Sequence, residues 1–556
     1  MNKISRRDFL KGAVAGVASA AAMSVLPAAA MAENDEELVM TAAKSLETKW
    51  SFEIAPAPIP DDQIAEVIED EVIVVGAGMS GLTTCYSAQK NGCSVTLFSA
   101  SSGPISRGGS NFAMYSKVVE ERGIERFDVS EYFYEEMRAA SFAVDQKKWC
   151  RGVNASEEAM NWLIDLVNED GLKVILERDN KMDGKGPYYA HAFNTEGNDA
   201  MVSTGQQGAV ESMERHALAA GATILYNIVA KQLVKEGSRV VGVIGQKQDG
   251  SYVKFLGRKG VVLATGDFSA NKQMLAKYCP MVLDAVGIEE TEPNYDTGFS
   301  LTGIYHGDGQ QMGLWAGAAW QHAYPNAPMM QGAWGGSFEP CGFHQGLNVN
   351  TRTERYQRED ISAPYSANHL LSQPGRVAYG IWTKNFAQAI IDAGHEWYTF
   401  GSDFDKPAKT ADEMIAIWDT YTKADTLEEL AEKLGLDPEK LVAVVARYNE
   451  LCEKGVDEDF HKRSEFMIPI EAEGPYYSSM NYALFMTVMG GLRCNEYMQV
   501  QDENDEVIPG LFNVGAMIGD MYANTYNFAI PGNSYGINCL TFGKLLGEDL
   551  ASGRFD

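Results

Sequence analysis

The sequence is short of positive charge. Its 46 Lys and Arg stand against 76 Asp and Glu, a formal charge of −30 over 556 residues. Such an acidic surface repels phosphate-rich partners, which argues against nucleic acid and anionic membrane surfaces as ligands. Two readings of the acid remain, a solvated skin or a docking face for a basic redox partner. None of the eight cysteines (Cys85, Cys93, Cys150, Cys279, Cys341, Cys452, Cys494, Cys539) forms a C-x-x-C pair. Zinc ribbons, thioredoxin-type motifs and C-x-x-C-H haem attachment are thereby excluded. Several cysteines sit in apolar stretches as small buried hydrophobes, while a cluster or disulfide assembled in space stays open. Beyond the N-terminal segment no run reaches about 18 apolar residues, so no membrane span is expected in the mature chain. Internal repeats and low-complexity tracts are missing too.

What is present begins with an address. Ser5-Arg6-Arg7-Asp8-Phe9-Leu10-Lys11 resembles a twin-arginine export signal, followed by an Ala-rich apolar run from Gly12 to Pro27. Ala30-Met31-Ala32 offers a small-residue cleavage site, with a membrane anchor as the alternative reading. The expectation is a signal peptide over 1–32 and a protein at work in the periplasm or on the outer face of the cytoplasmic membrane. Residues 33–69, acidic and Pro-containing, read as a linker with one helix. With 45% hydrophobic residues the mature chain can bury a large core in at least two structural units.

Glu71-Val72-Ile73-Val74-Val75 is a short β-branched run, the pattern of a strand buried on both faces. Gly76-Ala77-Gly78-Met79-Ser80-Gly81 follows, then a helix to Asn91-Gly92 and a second strand from Ser94 to Phe98. In that context Gly76 permits the tight turn, Gly78 lets the backbone approach a pyrophosphate, and Gly81 lets helix and strand pack closely. The helix N-terminus supplies N–H groups and a dipole that favour an anion. The second strand of such units normally ends in an acid that bonds ribose hydroxyls; here Ser99 and Ala100 stand in that place. A serine still bonds a ribose, and loss of the acid is also compatible with NADP.

Farther on, a helical region spans 129–170, short strands run from 222 to 243 with a turn at Glu236-Gly237, and a buried strand from Gly260 to Leu263 ends in Ala264-Thr265-Gly266-Asp267. The stretch 341–471 is more charged and helical, with Thr426 and Glu429 as a capping box. Glycine-loop character returns at Gly510 to Gly515 and at Pro531 to Ser534.

Together, the Gly76 loop, Ser106-Arg107-Gly108-Gly109-Ser110, Leu263-Ala264-Thr265-Gly266, Gly307-Asp308-Gly309, Met489-Gly490-Gly491, Ile508-Pro509-Gly510-Leu511 and Gly532-Asn533-Ser534 form a recognisable set. It resembles the flavoprotein family of soluble fumarate reductases, urocanate reductase and 3-ketosteroid dehydrogenases. The resemblance implies an α/β chain in which a Rossmann-type FAD-binding domain with a parallel sheet (70–340 and 476–556) is interrupted by an α+β capping domain (341–475). It places Gly76 to Gly81, Ser99, Ala100, Arg107 to Ser110, Ala264 to Gly266, Asn271, Gly515 and Ala516 around FAD. Val229 and Ala230 pass the adenine, and Gly532, Asn533 and Ser534 present N–H groups to the flavin.

Departures from that family bear on the substrate. Thr487-Val488 replaces His-Thr, Ala529 or Ile530 replaces the substrate-binding arginine, and Trp382-Thr383-Lys384-Asn385-Phe386-Ala387 lacks the acid arginine. Tyr324-Pro325 replaces His-Pro, and Ala516 replaces a glutamate. Fumarate is thus disfavoured, because each of its carboxylates would be buried at a cost of several kcal/mol. The implied chemistry is hydride transfer from flavin N5 to an activated C=C bond, with an acid for the other carbon. Candidates for that acid are Tyr526, Tyr522, Tyr535 and Tyr324. Arg358 with Glu359 is a candidate relay, and Arg493 a candidate ligand for a substrate carbonyl. Each has a bland alternative as a packing aromatic or ion pair. Trp315, Trp320, Met329, Met330, Trp334, Phe338, Phe485, Met486, Met489, Met517 and Met521 could line an apolar pocket for an enone, acrylate or steroid-like ring. A separate cytochrome c-type donor is expected to supply electrons. Desaturation of a ketosteroid-like substrate and a non-catalytic electron-transfer flavoprotein are the competing readings.

Overall fold

The computed structural model describes residues 49–106, 109–177, 190–195, 206–286, 305–332, 346–361, 363–384, 386–393, 421–526 and 532–556. The chain divides into two units, 1–54 and 55–556. In the first, the described residues form one 3₁₀ turn, Ser51–Glu53, with the Glu53 carboxylate accepting from the Trp50 N–H at 2.9 Å.

The second unit is built on an eight-stranded sheet. Its central strand, Ile64–Val75, is flanked in parallel by Val95–Phe98 on one side and Tyr252–Leu263 on the other. Val72, Ile73, Val74 and Val75 are buried on both faces, as a mid-sheet β-branched run demands. The strand begins earlier than its apolar run suggests. Residues from Ile64 onward, expected to be linker, pair with Tyr252–Gly257 while remaining largely exposed, so the hydropathy pattern does not reveal them. Thr223–Leu225 extends the parallel sheet beyond Val95–Phe98, and Val507–Asn513 extends it beyond Tyr252–Leu263. A hairpin, Ile228–Glu236 and Arg239–Lys247, lies antiparallel against the start of Tyr252–Leu263.

The Met79–Lys90 helix crosses from the first strand to the second and packs on the Phe542–Ala551 helix. The approach is close because glycines face it: a Cβ at Gly547 would stand 2.6 Å from the Ser87 Cβ. The Ser87 hydroxyl donates to the Lys544 carbonyl at 2.8 Å across the same seam. The expected helical region over 129–170 consists of two helices, Val129–Ala139 and Gln146–Glu169. Ser141 and Phe142 turn into positive φ between them, and Asp145 caps the second by accepting from the Lys147 and Lys148 N–H groups.

A five-stranded antiparallel sheet carries the other wall of the site. Tyr476–Met489 pairs with Ala327–Gly332, Val377–Thr383 and Thr422–Ala424, and Leu347–Asn350 closes the edge. The sheet therefore recruits strands from both sides of the charged 341–475 stretch. Helices Leu427–Leu434 and Pro438–Lys454 bury Leu430, Leu441, Val445 and Tyr448 against it. Thr426 caps the first of these through the Glu429 N–H, while the Glu429 carboxylate reaches back to Asp425 rather than Thr426. A small sheet of Asn111–Phe112, Leu172–Glu177 and Ala190–Thr195 completes the described strands.

Candidate active site

A cavity of about 560 Å³ opens at the carboxyl ends of the parallel strands, where open α/β sheets bind their ligands. Gly76, Ala77, Gly78, Met79 and Ser80 form its rim. Gly76 sits at φ +115°, and a Cβ there would stand 2.4 Å from the Ala264 carbonyl oxygen. Gly81 does not line the cavity. It packs on the turn itself, since a Cβ at Gly81 would meet the Gly76 carbonyl oxygen at 1.9 Å. Gly78 is the N-cap of the Met79–Lys90 helix and brings no side chain to its first N–H groups. Those donors and the dipole suit a pyrophosphate.

Ser99 and Ala100 lie where the resemblance places the ribose. The Ser101 hydroxyl donates to the Gly103 carbonyl at 2.7 Å, so the 2.8 Å bond between the two serines takes its proton from Ser99. Ser99 also accepts the Ser101 N–H at 3.3 Å, which leaves it one lone pair where the missing carboxylate would offer several. Ile105, Ser106, Gly109, Ser110 and Gln207 continue the wall, while Arg107 and Gly108 lie outside the described residues. Ile228 and Ala230 line the cavity and Val229 does not, because successive strand residues face opposite ways.

Ala264, Thr265 and Gly266 also line it. Asn271 does not: it caps the Lys272–Tyr278 helix, accepting from the Met274 N–H at 3.1 Å and donating to the His306 carbonyl at 2.9 Å. On the far side stand Ala516, Gly532, Ser534, Tyr535 and Cys539. Gly515 lies behind them, where a Cβ would meet the Ser80 hydroxyl oxygen at 2.6 Å. Asn533 points into the protein, where its Oδ1 accepts from the Tyr132 hydroxyl at 2.9 Å. The chain then enters a π-helix, Ser534–Thr541, a winding often found beside functional sites.

Of the seven catalytic candidates, Tyr526 and Tyr535 reach the cavity. The Tyr526 oxygen accepts the Ser534 N–H at 3.0 Å, and burial pushes its phenol well above the ordinary tyrosine value. Tyr522 is a packing residue, edge-on to Tyr526 at 4.8 Å and to Trp149 at 5.6 Å. Tyr324 is 65% exposed on a loop outside the cavity. Arg493 is turned away from the Met489-Gly490-Gly491 bend and donates to the Asp505 carboxylate at 3.0 Å. Arg358 forks onto Asp360 through two bonds of 2.6 Å. Glu359 is buried beneath the antiparallel sheet with Arg355 at 2.9 Å and Lys462 at 3.2 Å. Arg355 also holds Asp457, whose carboxyl is pulled down to about 2 by these bonds although burial alone would raise it. None of these five lines the cavity. Arg493, Arg358 and Glu359 spend their charges on ion pairs within the fold, and Tyr522 packs by its ring.

Met329, Met486 and Met489 supply an apolar wall, as the Met-rich pattern suggests. Met330, Phe485, Met517 and Met521 are core, Trp320 stacks on Tyr278 at 3.7 Å, and Trp334 and Phe338 lie outside the described residues. Two further polar residues were not assigned to the site from sequence, Asp267 and Thr487. Asp267 ends the motif that follows the Tyr252–Leu263 strand, and Thr487 occupies the position noted as a family departure. Only the fold puts them in contact, 220 residues apart. Cys539 also lines the cavity; burial pushes its thiol up to about 12, so it stays protonated. Among the described residues no group of three or more His, Cys, Asp or Glu is arranged to hold a metal.

Residues 71–534 match the FAD binding domain family. The chain belongs to that family. Its glycine rim, bare helix N-terminus and ribose-facing serine fit the dinucleotide, and it binds FAD as an oxidoreductase. A probable fumarate reductase of Shewanella frigidimarina is 27% identical, covering 91% of this chain and 82% of that relative. A vinyl phenol reductase of Lactiplantibacillus plantarum is 24% identical, covering 84% of this chain and 93% of that relative. The 3-ketosteroid-Δ4-(5α)-dehydrogenase of Rhodococcus jostii shares the fold, with a TM-score of 0.66 at 22% identity over 89% of this chain and 99% of that one.

Proposed function

We propose that this flavoprotein reduces activated carbon–carbon double bonds, with Tyr526 as the proton donor. The observation that carries the proposal is the Tyr526–Ser534 contact inside the FAD cavity, opposite a methionine wall. Bound FAD supplies two electrons as hydride. Tyr526 keeps its proton through the working pH range because burial raises its pKa, so it can protonate the second carbon. The Ser534 N–H then stabilises the phenolate left behind. Met329, Met486 and Met489 favour an apolar ring or chain and exclude water from it. The similarity to a probable fumarate reductase and a vinyl phenol reductase supports the reading, since fumarate and vinyl phenols both carry a C=C bond.

The proposal extends to export and respiration. The Arg6-Arg7 signal supports a twin-arginine route to the periplasm or the outer face of the cytoplasmic membrane, and the excess of acid supports docking of a basic cytochrome c-type donor. Residues 70–340 and 476–556 then serve as the FAD domain, and 341–475 as a cap. Among the described residues no helix is long and apolar enough to cross a membrane. The purified holoprotein, assayed anaerobically with reduced viologen against acrylates, enones and unsaturated steroids, should consume at least one class. Turnover only in dye-coupled oxidation of saturated ketones would reverse the assigned direction, and no turnover either way would overturn the enzyme reading.

A further inference from the structure

The cavity wall carries a carboxylate that FAD binding does not call for. Asp267 is 1% exposed and lines the cavity, as does Thr487. One Asp267 oxygen accepts from the Ser269 N–H at 3.1 Å and the Ser269 hydroxyl at 2.8 Å. The other accepts from the Thr487 hydroxyl and from the Val488 N–H at 3.3 Å. Two N–H groups and two hydroxyls converge on this carboxyl, and a carboxylate can only accept. The bond joins the loop after Tyr252–Leu263 to the Tyr476–Met489 strand, so it bridges the two sheets that face the cavity.

That arrangement fixes the polarity of the wall. A threonine hydroxyl has one proton, and Thr487 gives it to Asp267. The lone pairs of Thr487 therefore remain for whatever enters, backed by a negative charge. Met329 is the register partner of Thr487 on the adjacent strand, and with Met486 it makes the surroundings apolar. A group seated there must donate a hydrogen bond. A carboxylate would bring a second negative charge into a desolvated site and is rejected.

We infer that the Asp267–Thr487 pair is a specificity determinant that anchors a hydroxyl or N–H group of the substrate and excludes carboxylates. This rests on the reading of the cavity as a site for an unsaturated small molecule. It deepens that reading by naming the class: alkenes bearing a hydrogen-bond donor, such as phenols or alcohols.

The test uses binding rather than turnover. The oxidised holoprotein is titrated with 4-ethylphenol, its methyl ether and 4-ethylbenzoate, following perturbation of the flavin absorbance. The phenol should bind about tenfold tighter than the ether and than the carboxylate, one hydrogen bond's worth. In Thr487→Val and Asp267→Asn that preference should fall below about threefold with flavin content unchanged. Equal binding of phenol and ether to the wild type, or no response to any of the three, would overturn the inference. So would loss of flavin from Thr487→Val, which would assign the pair to the cofactor. A phenol preference without alkene turnover would sink the reductase reading alone, and turnover without the preference would sink this inference alone.

Discussion

Ser534 donates its backbone N–H to the Tyr526 hydroxyl oxygen at 3.0 Å, and both residues line the cavity. The acceptor is a side chain and the donor is backbone, so the contact survives any substitution of Ser534 except proline but not the loss of the phenol oxygen. Tyr526→Phe should lower turnover with reduced viologen by about a hundredfold while leaving flavin content and melting temperature near wild type. A rate within about threefold of wild type would remove Tyr526 as the acid.

Glu359 tests the opposite outcome. It sits against Arg355 and Lys462 with no exposure, away from the cavity. Removing that charge takes the carboxylate from Lys462 and leaves Arg355 with Asp457 alone, at a cost of about 3 kcal/mol or more. Glu359→Gln should therefore lower the thermal midpoint sharply, while the rate per folded, flavin-loaded molecule stays within about threefold of wild type. A hundredfold loss of rate in a protein of unchanged stability would restore Glu359 as a relay.

The glycine rim gives a steric prediction. Gly81→Ala places a methyl 1.9 Å from the Gly76 carbonyl oxygen, and that oxygen is backbone with no room to retreat. The helix must shift off the strand, costing more than about 2 kcal/mol and displacing the pyrophosphate donors. The variant should emerge from gel filtration without visible flavin absorbance. Retention of full flavin content would show that the helix and strand are not as closely seated as described.

A pH dependence follows from His191, on the Ala190–Thr195 strand. Its Nδ1–H donates to the Asn111 carbonyl at 3.1 Å and its Nε2 accepts from the Ser116 hydroxyl at 2.7 Å. Burial drives the imidazole from 6.5 down to about 4. The folded pKa is depressed, so below 6.5 the unfolded chain takes up a proton that the folded chain refuses. The contribution is intact above 6.5 and is lost as the pH falls toward 4. Between pH 7 and pH 5 the loss is about 2 kcal/mol. His191→Gln should remove that part of the slope in unfolding midpoints measured at the two pH values. Parallel slopes in variant and wild type would exclude the histidine.

The nucleotide half of the site was legible in the sequence because its signals are local. A β-branched run, the Gly76 turn and a helix are one uninterrupted stretch, and each glycine's role depends on its near neighbours. Tyr526 was also reachable, being eight residues from Ser534 beside the terminal glycine turn. Glu359, Arg358 and Tyr324 were candidates by their places in the family pattern and Arg493 by its nearness to Gly491, and neither signal says which way a side chain faces. Arg493 is two residues from Gly491 yet faces Asp505. The Asp267–Thr487 bond lay beyond sequence reasoning for a different reason, since neither residue carries a pattern until two sheets meet.

The Val507–Asn513 strand sits beside Tyr252–Leu263 in the middle of the sheet, and Gly532, Ser534, Tyr535 and Cys539 close the far side of the cavity. A nascent chain therefore displays the Gly76 turn long before it can retain a dinucleotide. Until those late residues emerge from the ribosome, the Val261–Leu263 end of the Tyr252–Leu263 edge stays open to pairing with a stranger. Lasting capture of the flavin therefore waits until synthesis has passed the Ser534–Thr541 π-helix.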